Sequence, residues 1–183
     1  MHMTTHQTVN TEAIVLNRKA FGEADWVMTL YTKASGKLTC VAKGARKMQS
    51  SKRAYLELGS EISIQLIQSH GLPILSQATL ISSPTEYTAQ NTKALFQVLE
   101  IIHTLTPEQD PSDDIYMELR HIIRGIHTRT LSHTTISHLL NTIVTLLGYS
   151  DLADTPHKSI TEYVETIADR PMHAFSYLTV SAK

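Results

Sequence analysis

The sequence is short of most residues on which fixed-site chemistry is built. A single cysteine, Cys40, excludes an internal disulfide framework and every zinc site made from several cysteines. There is no Gly-x-x-x-x-Gly-Lys-Ser/Thr phosphate loop, no Gly-x-Gly-x-x-Gly turn and no His-Glu-x-x-His helix. Nucleotide hydrolysis, dinucleotide chemistry and zinc-peptidase chemistry therefore have no support in the sequence. No apolar run approaches the roughly 18 residues of a membrane helix, and the polar start Thr4-Thr5-His6-Gln7-Thr8 has no basic-then-apolar signal pattern. The expectation is a soluble, cytoplasmic protein. With 183 residues, 42% hydrophobic and 18% charged, the chain has the composition of an ordinary globular protein, with room for one domain or two small ones.

What the chain does have is an uneven distribution of charge. The net charge is −1, yet residues 1–80 sum to +4 and residues 81–183 to −5. Between Trp26 and Leu56 lie seven basic residues, Lys33, Lys37, Lys43, Arg46, Lys47, Lys52 and Arg53, and no acid at all. A basic first half joined to an acidic second half points to a polyanion-binding part and a part with another task.

The first half reads as strands. Short alternating or apolar segments occur at Thr11 to Arg18, Trp26 to Thr32, Leu38 to Lys43, Ile62 to Ile67 and Ile74 to Ile81. Lys33-Ala-Ser-Gly36-Lys37 and His70-Gly71-Leu72-Pro73 supply turns. Five short strands joined mostly by tight turns fit a small closed barrel. Ser82-Ser83-Pro84 marks the change of period, giving a barrel domain over 1–82 and a helical domain over 83–183. In the second part, Leu95, Leu99 and Ile102 form an apolar stripe that must stop before Pro107. Ile115, Leu119, Ile122 and Ile126 form a second, and Ile136, Leu139, Leu140, Ile143 and Leu147 a third, closed by Gly148. Ser159 and Glu162 have capping-box spacing ahead of a fourth helix, and Met172 to Leu178 is read as a short fifth. The fold class is α+β.

Lys43-Gly-Ala-Arg46-Lys47 and then Lys52-Arg53 follow the third strand and precede the fourth. Cations there can contact phosphates along a barrel face, giving affinity with little sequence preference and a steep salt dependence. Trp26, Tyr31 and Tyr55 are aromatic residues in the same stretch, available for base stacking; the plainer alternative is a solvated basic face with its aromatics buried. Ten histidines invite a metal hypothesis, but His121 with His127 and His133 with His138 are spaced six and five apart, neither an i, i+4 pair on one helical face. Cys40 sits in a strand pattern, where a buried structural thiol is the ordinary case. Asp110, Asp113 and Asp114 suit the start of a helix. The residues describe a binding protein with no catalytic constellation, no metal site and no cofactor. Three rivals stay open: a barrel that accepts an acidic peptide, an OB-fold RNA-binding protein of translation, and a histidine-metal hydrolase.

Several stretches, in order, resemble the RecO family of bacterial recombination mediators. They are Glu12 to Leu16, Phe21-Gly-Glu-Ala-Asp25, Thr29 to Thr32 with Ser35-Gly-Lys37, Val41 to Lys47 with Ser50, Gly71 to Ala78, and Leu139-Leu140 to Leu147-Gly-Tyr149. The resemblance implies an amino-terminal OB-fold barrel and a carboxy-terminal helical bundle. It implies binding of single- and double-stranded DNA, annealing of complementary strands, and work with RecR and single-stranded-DNA-binding protein to help RecA onto single strands. By position, Lys43, Arg46 and Lys47 match the family's basic motif and Lys37 its turn lysine, whereas Lys52 and Arg53 rest on charge and proximity. Glu23 and Asp25 match family positions and are expected to set loop geometry. Trp26 stands where the family often has a basic residue, and the four-cysteine zinc motif of some members is absent.

Overall fold

A computed structural model of the chain describes residues 7–83 and 88–176. It is an α+β structure in which five strands precede the helices. The strands are β1 (Thr8–Phe21), β2 (Asp25–Thr32), β3 (Gly36–Ala42), β4 (Glu61–Ile67) and β5 (Ile74–Ser82). They close in the order β1-β2-β3-β5-β4, with β1 pairing both β2 and β4. The fourteen-residue β1 does this by changing partner along its length. Thr8 to Ile14 run antiparallel to β4, and Ala13 to Phe21 run antiparallel to β2. A register shift between Val15 and Asn17 lets the strand turn this corner, and Gly59 and Ser60 lie against it there, the Gly59 N–H donating to the Val15 carbonyl at 2.9 Å. The sequence reading of a strand over Thr11 to Arg18 caught only the middle of β1. The parallel seam between β3 and β5 is short, with Val41 opposite Ile74 and the Val41 N–H donating to the Pro73 carbonyl at 2.8 Å.

Inside the barrel, Ala13, Val15, Met28, Leu30, Leu38, Cys40, Ile62, Ile64, Leu66 and Leu75 form one apolar core. Burial pushes the Cys40 thiol up to about 12, so it stays a neutral, unreactive packing group. Tyr31 is also buried, and its hydroxyl is raised to about 12 by burial and by the charge of Asp110. A ring in that position offers no stacking surface, which corrects the sequence expectation for Tyr31.

The described residues divide into two compact units, the strands together with Pro107–Ser112 and the helices without that segment. Residues 107–112 fell within the expected helical domain, but they pack on the barrel. The Gln109 N–H donates to the Lys37 carbonyl at 2.8 Å, and Glu108 pairs alongside Lys37 as a parallel bridge. Gly36, with φ of +65°, permits this approach: a Cβ there would run into the Asp110 carbonyl.

The helices are α1 (Ala89–Leu105), α2 (Asp113–Thr128), α3 (His133–Leu146), α4 (Ile160–Ala168) and α5 (His173–Ser176). Pro84 and residues 177–178, used in the sequence reading, lie outside the described residues. Thr88, Ser132 and Ser159 accept from the N–H groups of Asn91, Thr135 and Glu162 and so begin α1, α3 and α4. Gly148, at φ +89°, follows the end of α3. The Glu100 carboxylate on α1 accepts the N–H groups of His173 and Ala174, at 2.7 and 2.6 Å, and anchors the start of α5. No described helix is long and apolar enough to cross a membrane.

His127, near the end of α2, is 9% exposed, and neither ring nitrogen has a hydrogen-bond partner among the described residues. Burial lowers its pKa from 6.5 to about 4. Below pH 6.5 the unfolded chain takes up a proton that the native ring refuses, so stability falls as pH drops and levels off below about 4. We expect a loss on the order of 3 kcal/mol across that window, and denaturation of His127→Leu should show a flatter pH profile than the wild type. At the barrel, Gly36→Ala is expected to destabilise by about 3 kcal/mol in chemical denaturation, from steric conflict and positive φ together.

Candidate nucleic-acid interface

Two loops at one end of the barrel are tied into a single unit. The β1–β2 turn, residues 22–24, needs Gly22 at φ +56°, and the chain leaving β3 needs Gly44 at φ +67°. The Asp25 Oδ1 accepts the Gly44 N–H at 2.7 Å. The Arg46 N–H donates to the Ala24 carbonyl at 2.9 Å, and the Arg46 guanidinium donates through Nη1 to the Gly22 carbonyl at 2.8 Å. Ala45 is fully buried between these contacts and pins the loop to the barrel. Asp25 thus sets loop geometry, as its sequence position suggested.

This clasp decides where the cations go. Lys43 and Lys47 are exposed, and no acid pairs with either among the described residues. Arg46 is half-buried, with one nitrogen spent on the turn and the rest of the guanidinium free to donate outward. From Lys47 the chain continues through successive turns, Ser50 N–H to the Lys47 carbonyl and Arg53 N–H to the Ser50 carbonyl. A 3-10 turn over Ser51–Ala54 then leaves Arg53 exposed. Lys52 is half-buried, and its ammonium donates to the Leu75 carbonyl at 3.2 Å, which fixes it to β5.

Lys37 requires a correction. Its side chain is buried, and its ammonium lies 3.8 Å from Glu108 of the segment that packs on β3. A lysine neutralised and covered in this way is not a surface phosphate contact; it secures residues 107–112. The two proposed stacking residues, Trp26 and Tyr55, are half-buried and pack against the barrel core. The Arg18 guanidinium lies over the Trp26 ring, 4.4 Å from its centroid. Arg18 in turn makes a two-point contact with Glu57, at 2.8 and 2.7 Å, and donates to the Leu56 carbonyl at 3.0 Å. Sequence reasoning counted Arg18 among the basic residues but could not see that Glu57 neutralises it. It also passed over Lys19, which is exposed on the far half of β1.

Fold and site together define an α+β protein whose amino-terminal five-stranded barrel presents clustered cations on clasped loops. Residues 3–84 match the family model described as Recombination protein O N terminal. The chain is 33% identical over 124 residues to the DNA repair protein RecO of Syntrophobacter fumaroxidans, covering 66% of this chain and 49% of that protein. It is 34% identical over 119 residues to that of Shouchella clausii, covering 64% and 46%. Over 149 residues it is 28% identical to that of a Thermoanaerobacter species, covering 80% and 60%. Residues 3–84 thus carry the amino-terminal domain of the RecO family, and the chain spans about half the length of the first two of these curated relatives.

Asp25→Ala removes the acceptor for the Gly44 N–H and loosens the clasp. The expected loss is about 1–2 kcal/mol of stability. Amide exchange in residues 43–47 should quicken while the β4–β5 amides stay protected.

Proposed function

We propose that the chain is a non-enzymatic protein of DNA repair and recombination that binds DNA through the amino-terminal barrel and offers the acidic helical domain to protein partners. In this reading the barrel domain is the one expected over 1–82 and the helical domain the one expected over 83–183, except that Pro107–Ser112 groups with the strands. The closed barrel in the order β1-β2-β3-β5-β4 supports reading it as an OB-type barrel, a fold suited to holding oligonucleotides. The observation that carries the reading is the cluster of cations on the clasped loops, in a stretch without acids, within the part of the chain that matches the RecO amino-terminal model.

In this reading Lys43, Arg46, Lys47 and Arg53 contact phosphates. Lys52 braces the loop against β5, and Lys37 no longer belongs to the site. Binding extends to single- and double-stranded DNA, because charge on a backbone-tracking surface reads no bases. Annealing follows from the same physics. Cations on one surface lower the repulsion between two strands, and base pairing supplies the favourable energy, so no cofactor or covalent step is needed. The family resemblance supplies the partners: RecR, single-stranded-DNA-binding protein and, indirectly, RecA. The place of action is the cytoplasm, at the nucleoid.

The test is equilibrium binding of a labelled single strand over a salt series by the wild type and by Lys43→Ala/Lys47→Ala. The double variant should bind more weakly on every sequence, and its log–log salt slope should be shallower by about 1.4, two contacts at roughly 0.7 each. An unchanged slope would remove these lysines from the site.

A further inference from the structure

Trp26 and Tyr55 are poorly placed to meet bases, since both rings pack on the barrel core and Arg18 covers one face of Trp26. Another aromatic residue is not so engaged. Phe21, the last residue of β1, is 59% exposed, more open than Phe96 or Tyr149. A phenylalanine this open contributes little to the barrel's own core, so its apolar face is available to a ligand.

Its surroundings indicate which ligand. Phe21 lies opposite Asp25 in the β1–β2 register, and Asp25 is the residue whose carboxylate holds Gly44. The next residue, Gly22, gives its carbonyl to Arg46. The ring therefore stands one strand away from the loop that bears Lys43, Arg46 and Lys47. Lys19, exposed two positions earlier on β1, shares its face of the strand. Of the two acids in the adjoining turn, Asp25 is consumed by the clasp and Glu23 is exposed. A bare aromatic ring bordered by cations suits a ligand with alternating flat apolar groups and negative charges. An unpaired nucleic-acid strand has that chemistry. An apolar protein patch would not call for the cations, and duplex DNA hides its base faces.

We infer that Phe21 is a base-stacking residue for single-stranded nucleic acid, with Lys43, Arg46 and Lys47 holding the phosphates beside it. This rests on the nucleic-acid reading above and adds a preference to it. The cations bind any strand, and Phe21 rewards strands whose bases are free.

The experiment measures binding of the full chain to an oligothymidylate and to an abasic strand of equal length, for the wild type, Phe21→Ala, Phe21→Leu and Phe21→Tyr. Phe21→Ala and Phe21→Leu should each weaken binding to the oligothymidylate about tenfold without altering the salt slope. Both should leave abasic affinity unchanged, and Phe21→Tyr should retain wild-type binding to both probes. Phe21→Leu keeps an apolar group on the strand, so a loss shared by both variants reports the missing ring and not a folding defect. Equal losses on the two probes, or no loss on the oligothymidylate while the wild type binds with a steep salt slope, overturn the stacking role and leave the charge reading standing. Failure of the wild type to bind either strand at low salt overturns both.

Discussion

The hydrogen bond from the Gly44 N–H to the Asp25 carboxylate is the contact on which the barrel's basic end depends. A lysine-rich loop has no reason to fold against its neighbours, because its charges repel one another and prefer water. Here one charged acceptor, buried Ala45 and the two Arg46 contacts to the β1–β2 turn fix the backbone. With the backbone fixed, Lys43 and Lys47 are held outward at little further entropic loss. A cation preorganised in this way binds a phosphate more tightly than one on a loose tail, since less freedom remains to be lost on association.

The same economy of charge runs through the rest of the barrel. Basic residues that the fold needs are engaged locally. Arg18 is matched by Glu57 and laid on Trp26, Lys37 is covered by Glu108, and Lys52 is turned back onto the Leu75 carbonyl. Lys19, Lys43, Lys47 and Arg53 are left exposed, and Arg46 is divided between the turn and solvent. The basic residues of the barrel thus separate into cations that build it and cations left exposed. On the proposed reading only the second group meets DNA.

Much of the fold was legible because its signals are local. Alternation or a short apolar run marked each of the five strands, though only the middle of β1, Pro107 marked the stop of α1, and the Ser159–Glu162 spacing marked the start of α4. What was not legible depends on residues distant in the chain. Nothing in Pro107–Ser112 has a period, so its packing on β3 could not be read, nor could the pairing that buries Lys37. Arg18 and Glu57 are 39 residues apart, and only the closed barrel brings them together. Charge type was visible in the sequence and charge availability was not: Lys37, which entered as the family's turn lysine, is buried, and Lys19, which did not enter, is exposed. Aromatic residues repeat the lesson. Trp26, Tyr31 and Tyr55 were named for stacking because they lie in the basic stretch, but their burial separates them from Phe21, which was not.

The central claim is that the clasped loops form an electrostatic site for nucleic acid. The most direct measurement is the affinity of the wild-type chain for a labelled single strand from low to moderate salt. Contact by Lys43, Arg46 and Lys47 predicts a log–log slope of about −2 or steeper. Binding with a slope near zero, or no binding at the lowest salt, would contradict it, because neither is compatible with several outward cations neutralising phosphates.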